Sequence, residues 1–344
     1  MDNKPKSTSR ANGSFYVPPI VRLISLLALV GVGFAVAYLI LFSTSVSKFN
    51  ISEADLEVVP WHQFYQMAED LAWSNQKADS LLAQVWKDEV KLLDGHTYLI
   101  QLYELVKYQL LIQTLVAFLI PALFAMFLFG HLSDLWRFPT SPVAWLSVVL
   151  VVLGSVPFTY WLMDITAQFI PQDLIAKFKP MDIMRQGTLA LLLWVPDASQ
   201  ASMWQTILLM AVLPAVAEEL IFRGTFLKYL HETTNTVHFA VFLTAFLFAL
   251  LHFSVTQFIP IFVMGLVLGY LYIYSGTIWI PIIVHSLFNS VPVVIHFLYR
   301  QGKLSIPNPN EFSIPHIYGI AGGILVIAGI IILGKWRQKS VKAG

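Results

Sequence analysis

The stretch Ile20–Phe42 reads IVRLISLLALVGVGFAVAYLILF, and Arg22 is its only charged residue. About 20 consecutive apolar residues cross a hydrocarbon core of about 30 Å as an α-helix. Comparable runs follow at 108–130, 142–163, 204–230, 236–253, 258–274, 277–298 and 315–334. We therefore predict an all-α, polytopic membrane helix bundle with about eight transmembrane helices.

The composition of the whole chain agrees with a membrane protein and excludes several function classes. Of the 344 residues, 57% are hydrophobic and 12% are charged, against about 25% charged residues in soluble domains. The 21 Lys and Arg nearly balance the 20 Asp and Glu, so no basic surface is available to bind nucleic acid. The absence of Cys excludes disulfides, thiolate nucleophiles and Cys-ligated metals.

The runs divide the chain into segments. We predict a cytoplasmic leader at 1–19, the first transmembrane helix at 20–43, and an extramembranous helical segment at 44–107 that is either an amphipathic linker or a substrate-recruiting cap. Transmembrane helices and connecting loops occupy 108–203, where 189–195 is too short to span and is interpreted as a re-entrant or interfacial segment. A catalytic core follows at 204–299, and 300–344 holds a loop, the last transmembrane helix and a basic tail.

The positive charges at both ends predict the orientation. The leader has Lys4, Lys6 and Arg10, and the tail has four basic residues. An even number of crossings puts both termini on the same side, and positive charge favours the cytoplasm. The run at 20–42 exceeds the 7 to 15 residues of a signal-peptide core, so we interpret it as a retained anchor. The location expected from these features is a bacterial cytoplasmic membrane, with a eukaryotic endomembrane as the alternative.

Two adjacent carboxylates interrupt the fourth run. An ionisable residue inside a span costs roughly 2.5 to 3.5 kcal/mol at mid-depth on insertion scales, so such a pair requires an explanation. Glu219 and Arg223 are four residues apart in the favourable order and are expected to pair on one helix face. Glu218 points about 100 degrees away and must find another partner.

Three further polar residues fall at a similar depth in later runs. Measured from the cytoplasmic side, Glu218 lies roughly 21 Å deep, His252 roughly 24 Å, and His285 and Asn289 roughly 14 and 20 Å. Four polar groups from three helices are thus expected to converge. A carboxylate in an apolar pocket is an effective base near neutral pH. We therefore predict that Glu218 and His252 activate a water, while His285 and Asn289 donate hydrogen bonds to the oxyanion at a scissile carbonyl.

The pattern Glu218-Glu219-x-x-x-Arg223, Phe248-x-x-x-His252 and His285-x-x-x-Asn289 resembles the three-motif signature of the CAAX prenyl protease and bacteriocin-processing (CPBP, Abi) intramembrane proteases. The resemblance covers roughly residues 204 to 299. It implies an eight-helix fold with a site open toward the cytoplasm. It also implies that Glu218 is the general base, that His252 holds the water, and that His285 and Asn289 stabilise the oxyanion. Glu219 and Arg223 take supporting roles.

The expected partners are membrane lipid and a membrane-associated protein or peptide substrate, and nucleic acid is not expected. A metal-free glutamate mechanism is favoured because no His-Glu-x-x-His motif is present. The alternative is a zinc site formed by Glu218, His252 and His285.

Two other function classes are compatible with buried ionisable groups. One is a proton-coupled transporter, in which Glu and His relay protons. The other is a membrane scaffold or immunity protein that no longer cleaves peptides. Substitution of Glu218 separates the three: it abolishes cleavage in a protease and ion flux in a transporter, and changes nothing in a scaffold.

Overall fold

The computed structural model of the chain describes residues 17–48, 95–194, 196, 199–304 and 314–343. All regular secondary structure within these ranges is helical, which confirms the predicted all-α fold. The leader and most of the polar segment predicted at 44–107 lie outside the described residues.

Twelve α-helices make up the described bundle. They are α1 (Pro19–Lys48), α2 (Gly95–Ile112), α3 (Ile120–Leu128), α4 (Pro142–Ala167), α5 (Gln172–Trp194), α6 (Gln200–Ile207), α7 (Leu213–Glu219), α8 (Lys228–Thr234), α9 (Val237–Leu250), α10 (Phe258–Ser275), α11 (Trp279–Arg300) and α12 (His316–Ala343). A short 3₁₀ helix, Leu132–Trp136, lies between α3 and α4.

Three π-helical segments join some of these helices into longer rods. They are Gln113–Leu119 between α2 and α3, Leu208–Val212 between α6 and α7, and Leu220–Leu227 between α7 and α8. The first two precede Pro121 and Pro214, residues that lack the backbone N–H needed for a regular α-helical turn. The third follows Glu219 directly and contains Arg223. π-Helical segments inside α-helical rods frequently occur at functional sites.

Within the described ranges, seven helices are long and apolar enough to cross a membrane. They are Pro19–Leu41, Tyr103–Leu128, Pro142–Ala167, Gln200–Thr234, Phe258–Ser275, Trp279–Arg300 and His316–Lys339. Each corresponds to a predicted run, and the chain is an integral membrane protein. The second span begins at Tyr103, a few residues before the predicted position.

The run predicted to cross at 236–253 is the exception. Its helix, α9, has only 14 residues, which is about 21 Å at 1.5 Å per residue and less than the hydrocarbon core of about 30 Å. The prediction of a full crossing there was wrong, because apolar residues continue past Leu250 into a turn. Residues 189–194, interpreted as re-entrant, instead form the end of α5.

Ion pairs and a hydrogen bond join the ends of several helices at one end of the bundle. Arg22 Nη1 of α1 lies 3.2 Å from Glu232 Oε2 of α8, and Lys228 Nζ lies 2.6 Å from Asp134 Oδ2. At the start of α11, the indole N–H of Trp279 donates to the Leu135 carbonyl at 2.9 Å. The beginnings of α1 and α11 and the end of α8 therefore share this end.

The C-terminal helix reaches the same end of the bundle. Gly276 closes α10 in the left-handed conformation with φ +69, which glycine adopts without steric strain. The guanidinium of Arg337 lies beside it, and a Cβ on Gly276 would approach Arg337 Nη1 to 3.0 Å. The start of α1 and the end of α12 therefore lie on one side.

One histidine at this polar end has a perturbed titration. Burial, and then the neighbouring Lys228 ammonium, lower the pKa of His131 below its ordinary value. The neutral ring can therefore accept a hydrogen bond at Nδ1 from Lys228 Nζ, 2.9 Å away. This contact ties the loop after α3 to the start of α8.

Glycines bring α4 and α12 into backbone contact. A Cβ on Gly322 would lie 2.6 Å from the Gly154 carbonyl oxygen and 3.0 Å from the Phe158 nitrogen. Such distances exclude a side chain unless one helix moves. Small residues permit this close approach in membrane bundles, where van der Waals packing drives helix association.

Replacement of Gly322 by valine should therefore lower stability, by about 1 to 3 kcal/mol, the range for overpacked sites. The matched control is Gly31→Val, because a Cβ at Gly31 meets nothing within 4 Å. Thermal unfolding of both variants in detergent tests this prediction. Equal unfolding temperatures for the two variants would contradict the packing described here.

Candidate active site

A fully buried ion pair lies at the centre of the candidate site. Arg223 Nη1 is 2.6 Å from Glu219 Oε1, and the two side chains are 1% and 0% exposed. The contact confirms the pairing expected from their spacing of four residues. Because each charge compensates the other, the pair can lie inside a membrane-spanning helix.

The guanidinium of Arg223 makes a second contact that the sequence did not predict. Its Nη2 donates to the Gly265 carbonyl in α10 at 3.0 Å. A Cβ on Gly265 would lie 3.0 Å from Ala245 Cβ and 3.1 Å from Ala245 Cα, so α9 and α10 pack closely here. The glycine itself was the only sequence signal for this contact.

His285 in α11 contacts both carboxylates. Its Nδ1 lies 2.9 Å from Glu219 Oε1, and its Nε2 lies 3.8 Å from Glu218 Oε2. The imidazole is buried, with 7% of the side chain exposed, whereas 20% of the Glu218 side chain is exposed. The expected convergence of the Glu pair with His285 is thus present, with a direct bond from His285 to Glu219.

Phe248 in α9 forms an aromatic centre for the site. The Arg223 guanidinium carbon lies 4.8 Å from its ring centroid, a cation–π distance. The rings of His252 and His285 pack against it with centroids 4.7 and 5.8 Å away. Phe248 belongs to the motif that contains His252, but the sequence pattern predicted no role for its side chain.

His252 lies in the turn beyond α9 rather than inside a span. The helix ends at Leu250, and the His252 N–H bonds to the Ala249 carbonyl at 3.2 Å. The ring Nδ1 lies 2.7 Å from the Phe248 carbonyl oxygen, which can only accept, so Nδ1 carries the hydrogen. In the neutral ring, Nε2 then offers a lone pair.

The residue after His252 has an unusual backbone. Phe253 has φ +49 and is 55% exposed. A bulky residue with positive φ is strained, and such residues concentrate at functional sites. This conformation terminates α9 and turns the chain immediately after His252.

Glu218 and His252 are predicted to share a water, and Asn289 to bind the substrate oxyanion, so neither prediction requires a direct contact between side chains. Within the described part of the chain, no hydrogen bond joins Glu218 to His252, and none engages the Asn289 side chain. Asn289 lies one turn beyond His285 on α11 and is half-buried. Its side chain is therefore partly accessible.

The described residues do not fit the alternative zinc site. Among them, no three His, Asp or Glu side chains are grouped so that they could hold a metal ion. His285 presents both ring nitrogens to carboxylates, and Nδ1 of His252 bonds to the Phe248 carbonyl.

Comparison with known proteins relates part of the chain to a family. Residues 200–291 match the family model described as "Rce1-like: Type II CAAX prenyl endopeptidase Rce1-like". This confirms the resemblance found from the three motifs, over just over a quarter of the chain. A search of curated proteins gives no match, and neither does a search of solved structures. The match implies a protease.

Replacement of Arg223 by methionine should strongly destabilise the protein, because Glu219 would be left as an unpaired buried charge. Breaking a buried pair on one side costs about 3 to 5 kcal/mol. The control is Arg137→Met, since the Arg137 side chain is 66% exposed in its pair with Asp134 and such surface pairs contribute about 0 to 1 kcal/mol. Thermal unfolding in detergent tests the difference, and an Arg223→Met variant as stable as the Arg137→Met variant would contradict it.

Proposed function

We propose that this chain, whose residues 200–291 match the type II CAAX prenyl endopeptidase model, is an intramembrane endopeptidase with a glutamate-activated water. One observation carries the proposal. Glu218 is a partly exposed carboxylate 3.8 Å from a buried imidazole nitrogen of His285, in an otherwise apolar bundle. Its neighbour Glu219 is fully buried, and its Oε1 contacts both Arg223 and His285.

Glu218 is the proposed general base. Its oxygens have no strong hydrogen-bond partner among the described side chains, so they are available to a water molecule. The Nε2 lone pair of His252 provides a second acceptor for that water, since Nδ1 is bonded to the Phe248 carbonyl. Removal of the proton by Glu218 produces the nucleophile that attacks the peptide carbonyl.

His285 and Asn289 are the proposed oxyanion donors. They lie on one face of α11, one turn apart. The Asn289 amide has two N–H groups and no partner among the described residues. A preorganised donor at a developing oxyanion contributes about 2.7 to 4 kcal/mol in a known hydrolase. Glu219 and Arg223 support this face through the bond to His285.

The substrate is proposed to be a membrane-associated protein or peptide. Asn289, Glu218 and His252 are partly accessible, whereas the ion pair behind them is buried. The family description names prenylated CAAX substrates, so a farnesylated CAAX peptide is the first probe to use. Membrane lipid is the surrounding partner.

The proposed location is a bacterial cytoplasmic membrane, with both termini in the cytoplasm. The shared position of the α1 start and the α12 end supports termini on one side. The basic residues near both ends favour the cytoplasmic side. In this orientation α9 starts at the cytoplasmic surface, and the turn with His252 falls inside the hydrocarbon core.

Replacement of Glu218 by glutamine should abolish peptide cleavage. Loss of a general base lowers the rate by about 10² to 10⁴-fold, and glutamine keeps the size of the side chain. Membrane proteomics of cells with wild-type protein and with Glu218→Gln should reveal peptide termini that only the wild type produces. Purified proteins in nanodiscs are then compared on a farnesylated CAAX peptide.

Glu232→Gln is the matched control for this experiment. Glu232 is on the same helical rod, but its carboxylate pairs with Arg22 at the polar end of the bundle. The control should therefore retain cleavage. Identical peptide termini in cells with wild-type protein and in cells with Glu218→Gln would contradict the protease assignment.

We further propose that cleavage requires no metal, since the described His, Asp and Glu side chains form no group of three suited to one. Treatment of the purified protein with phenanthroline should leave cleavage unchanged, and metal analysis should find far less than one zinc per chain. Inactivation by the chelator, with recovery on adding zinc, would overturn this proposal and leave the protease assignment in place.

A further inference from the structure

The bond between Glu219 and His285 determines which imidazole nitrogen can react. Glu219 Oε1 lies 2.9 Å from His285 Nδ1 and 2.6 Å from Arg223 Nη1. Arginine remains protonated in proteins. In this buried pair Glu219 Oε1 is the acceptor of the Arg223 N–H, so that oxygen offers lone pairs and no hydrogen. The hydrogen in the contact with His285 therefore belongs to Nδ1.

The rest of the contacts keep Glu219 in this position. Arg223 is fixed from a second side by the Gly265 carbonyl at 3.0 Å and from a third by the ring of Phe248. Phe248 also packs against His285. Neither the carboxylate nor the imidazole can rotate away without breaking a buried contact. The hydrogen bond is thus part of a rigid network across α7, α9, α10 and α11.

We propose that Glu219 is a positioning residue that fixes the hydrogen of His285 on Nδ1 and leaves Nε2, the nitrogen facing Glu218, as its only reactive atom. This inference rests on the proposed function, because it concerns the same site. It assigns the two adjacent carboxylates different tasks. Glu218 contacts the water and the reacting groups, and Glu219 acts through His285.

The inference restricts how His285 can serve an oxyanion. A neutral imidazole protonated on Nδ1 presents a lone pair at Nε2 and cannot donate there. Donation to an oxyanion from Nε2 therefore requires the imidazolium form. The proton that converts Nε2 from acceptor to donor is the one that Glu218 removes from the water, since Glu218 Oε2 lies 3.8 Å from Nε2.

The tautomer can be measured directly by nitrogen NMR. The wild-type protein is labelled with ¹⁵N-histidine and placed in lipid nanodiscs without substrate, and the His285 signals are assigned by difference from His285→Gln. One-bond nitrogen–proton couplings then report which nitrogen carries hydrogen. We expect hydrogen on Nδ1 and none on Nε2 at a pH where the ring is neutral. Hydrogen on Nε2 with a bare Nδ1 would overturn the inference.

Variants test whether Glu219 is what holds the hydrogen of His285 on Nδ1. In the double variant Glu219→Gln with Arg223→Met, both charges are removed together, so no buried charge is left unpaired. The His285 ring should then show a mixture of the two tautomers. Glu218→Gln is the matched control, because it leaves the Glu219 contact intact and should keep the wild-type tautomer. A double variant with the unchanged Nδ1–H form would show that Glu219 does not set it.

If the double variant does not fold, Arg223→Lys replaces it. A lysine keeps a positive charge beside Glu219, so the Nδ1–H tautomer should persist, and its loss would contradict the inference. The outcomes also separate the two proposals. An inactive wild-type protein with Nδ1–H would overturn the protease assignment alone, whereas an active protein with the opposite tautomer would overturn only this inference.

Discussion

The structure around the candidate site depends on the buried ion pair between Glu219 and Arg223. A charge inside a membrane bundle is tolerated only when it is compensated nearby. Each side chain also has a second partner, since Arg223 bonds to the Gly265 carbonyl and Glu219 Oε1 accepts from His285. One interaction therefore fixes the relative positions of the rod that contains α7, of α10 and of α11. Phe248 of α9 packs against Arg223 as well, so α9 is also held at this ion pair.

The contacts around the ion pair place the adjacent residues Glu218 and Glu219 in different environments. Glu219 is fully buried and its bonded oxygen has two charged or polar partners, whereas Glu218 is partly exposed and faces His285 at a distance longer than a hydrogen bond. Consecutive helix positions diverge by about 100 degrees, so the pair can face the interior and the accessible side at once. A buried charged network therefore lies directly beside a partly exposed carboxylate.

The short helix α9 gives the site its second imidazole. Non-helical backbone at membrane depth is tolerated where it is buried in protein or lines a polar cavity. The turn after Leu250 contains His252, whose Nδ1 bonds to the Phe248 carbonyl, and Phe253 with positive φ. A full-length helix would have carried the chain past this level, so the early end of α9 leaves His252 in a turn next to Phe248.

The sequence by itself determined the helical class, the seven long spans of the described ranges, the Glu219–Arg223 contact and the family resemblance of residues 200–291. These features follow from local information, namely the length of apolar runs and the spacing of residues along one helix. Only the tertiary structure decided that α9 falls short of a crossing, that the Gly265 carbonyl holds Arg223, and that Phe248 is shared by two imidazoles. It also decided that His285 bonds directly to Glu219, a contact that the sequence did not predict. Contacts between helices depend on how far apart the helices lie and how each is rotated about its own axis. Packing across the whole bundle sets these distances and rotations, so they cannot be predicted from any short stretch of the sequence.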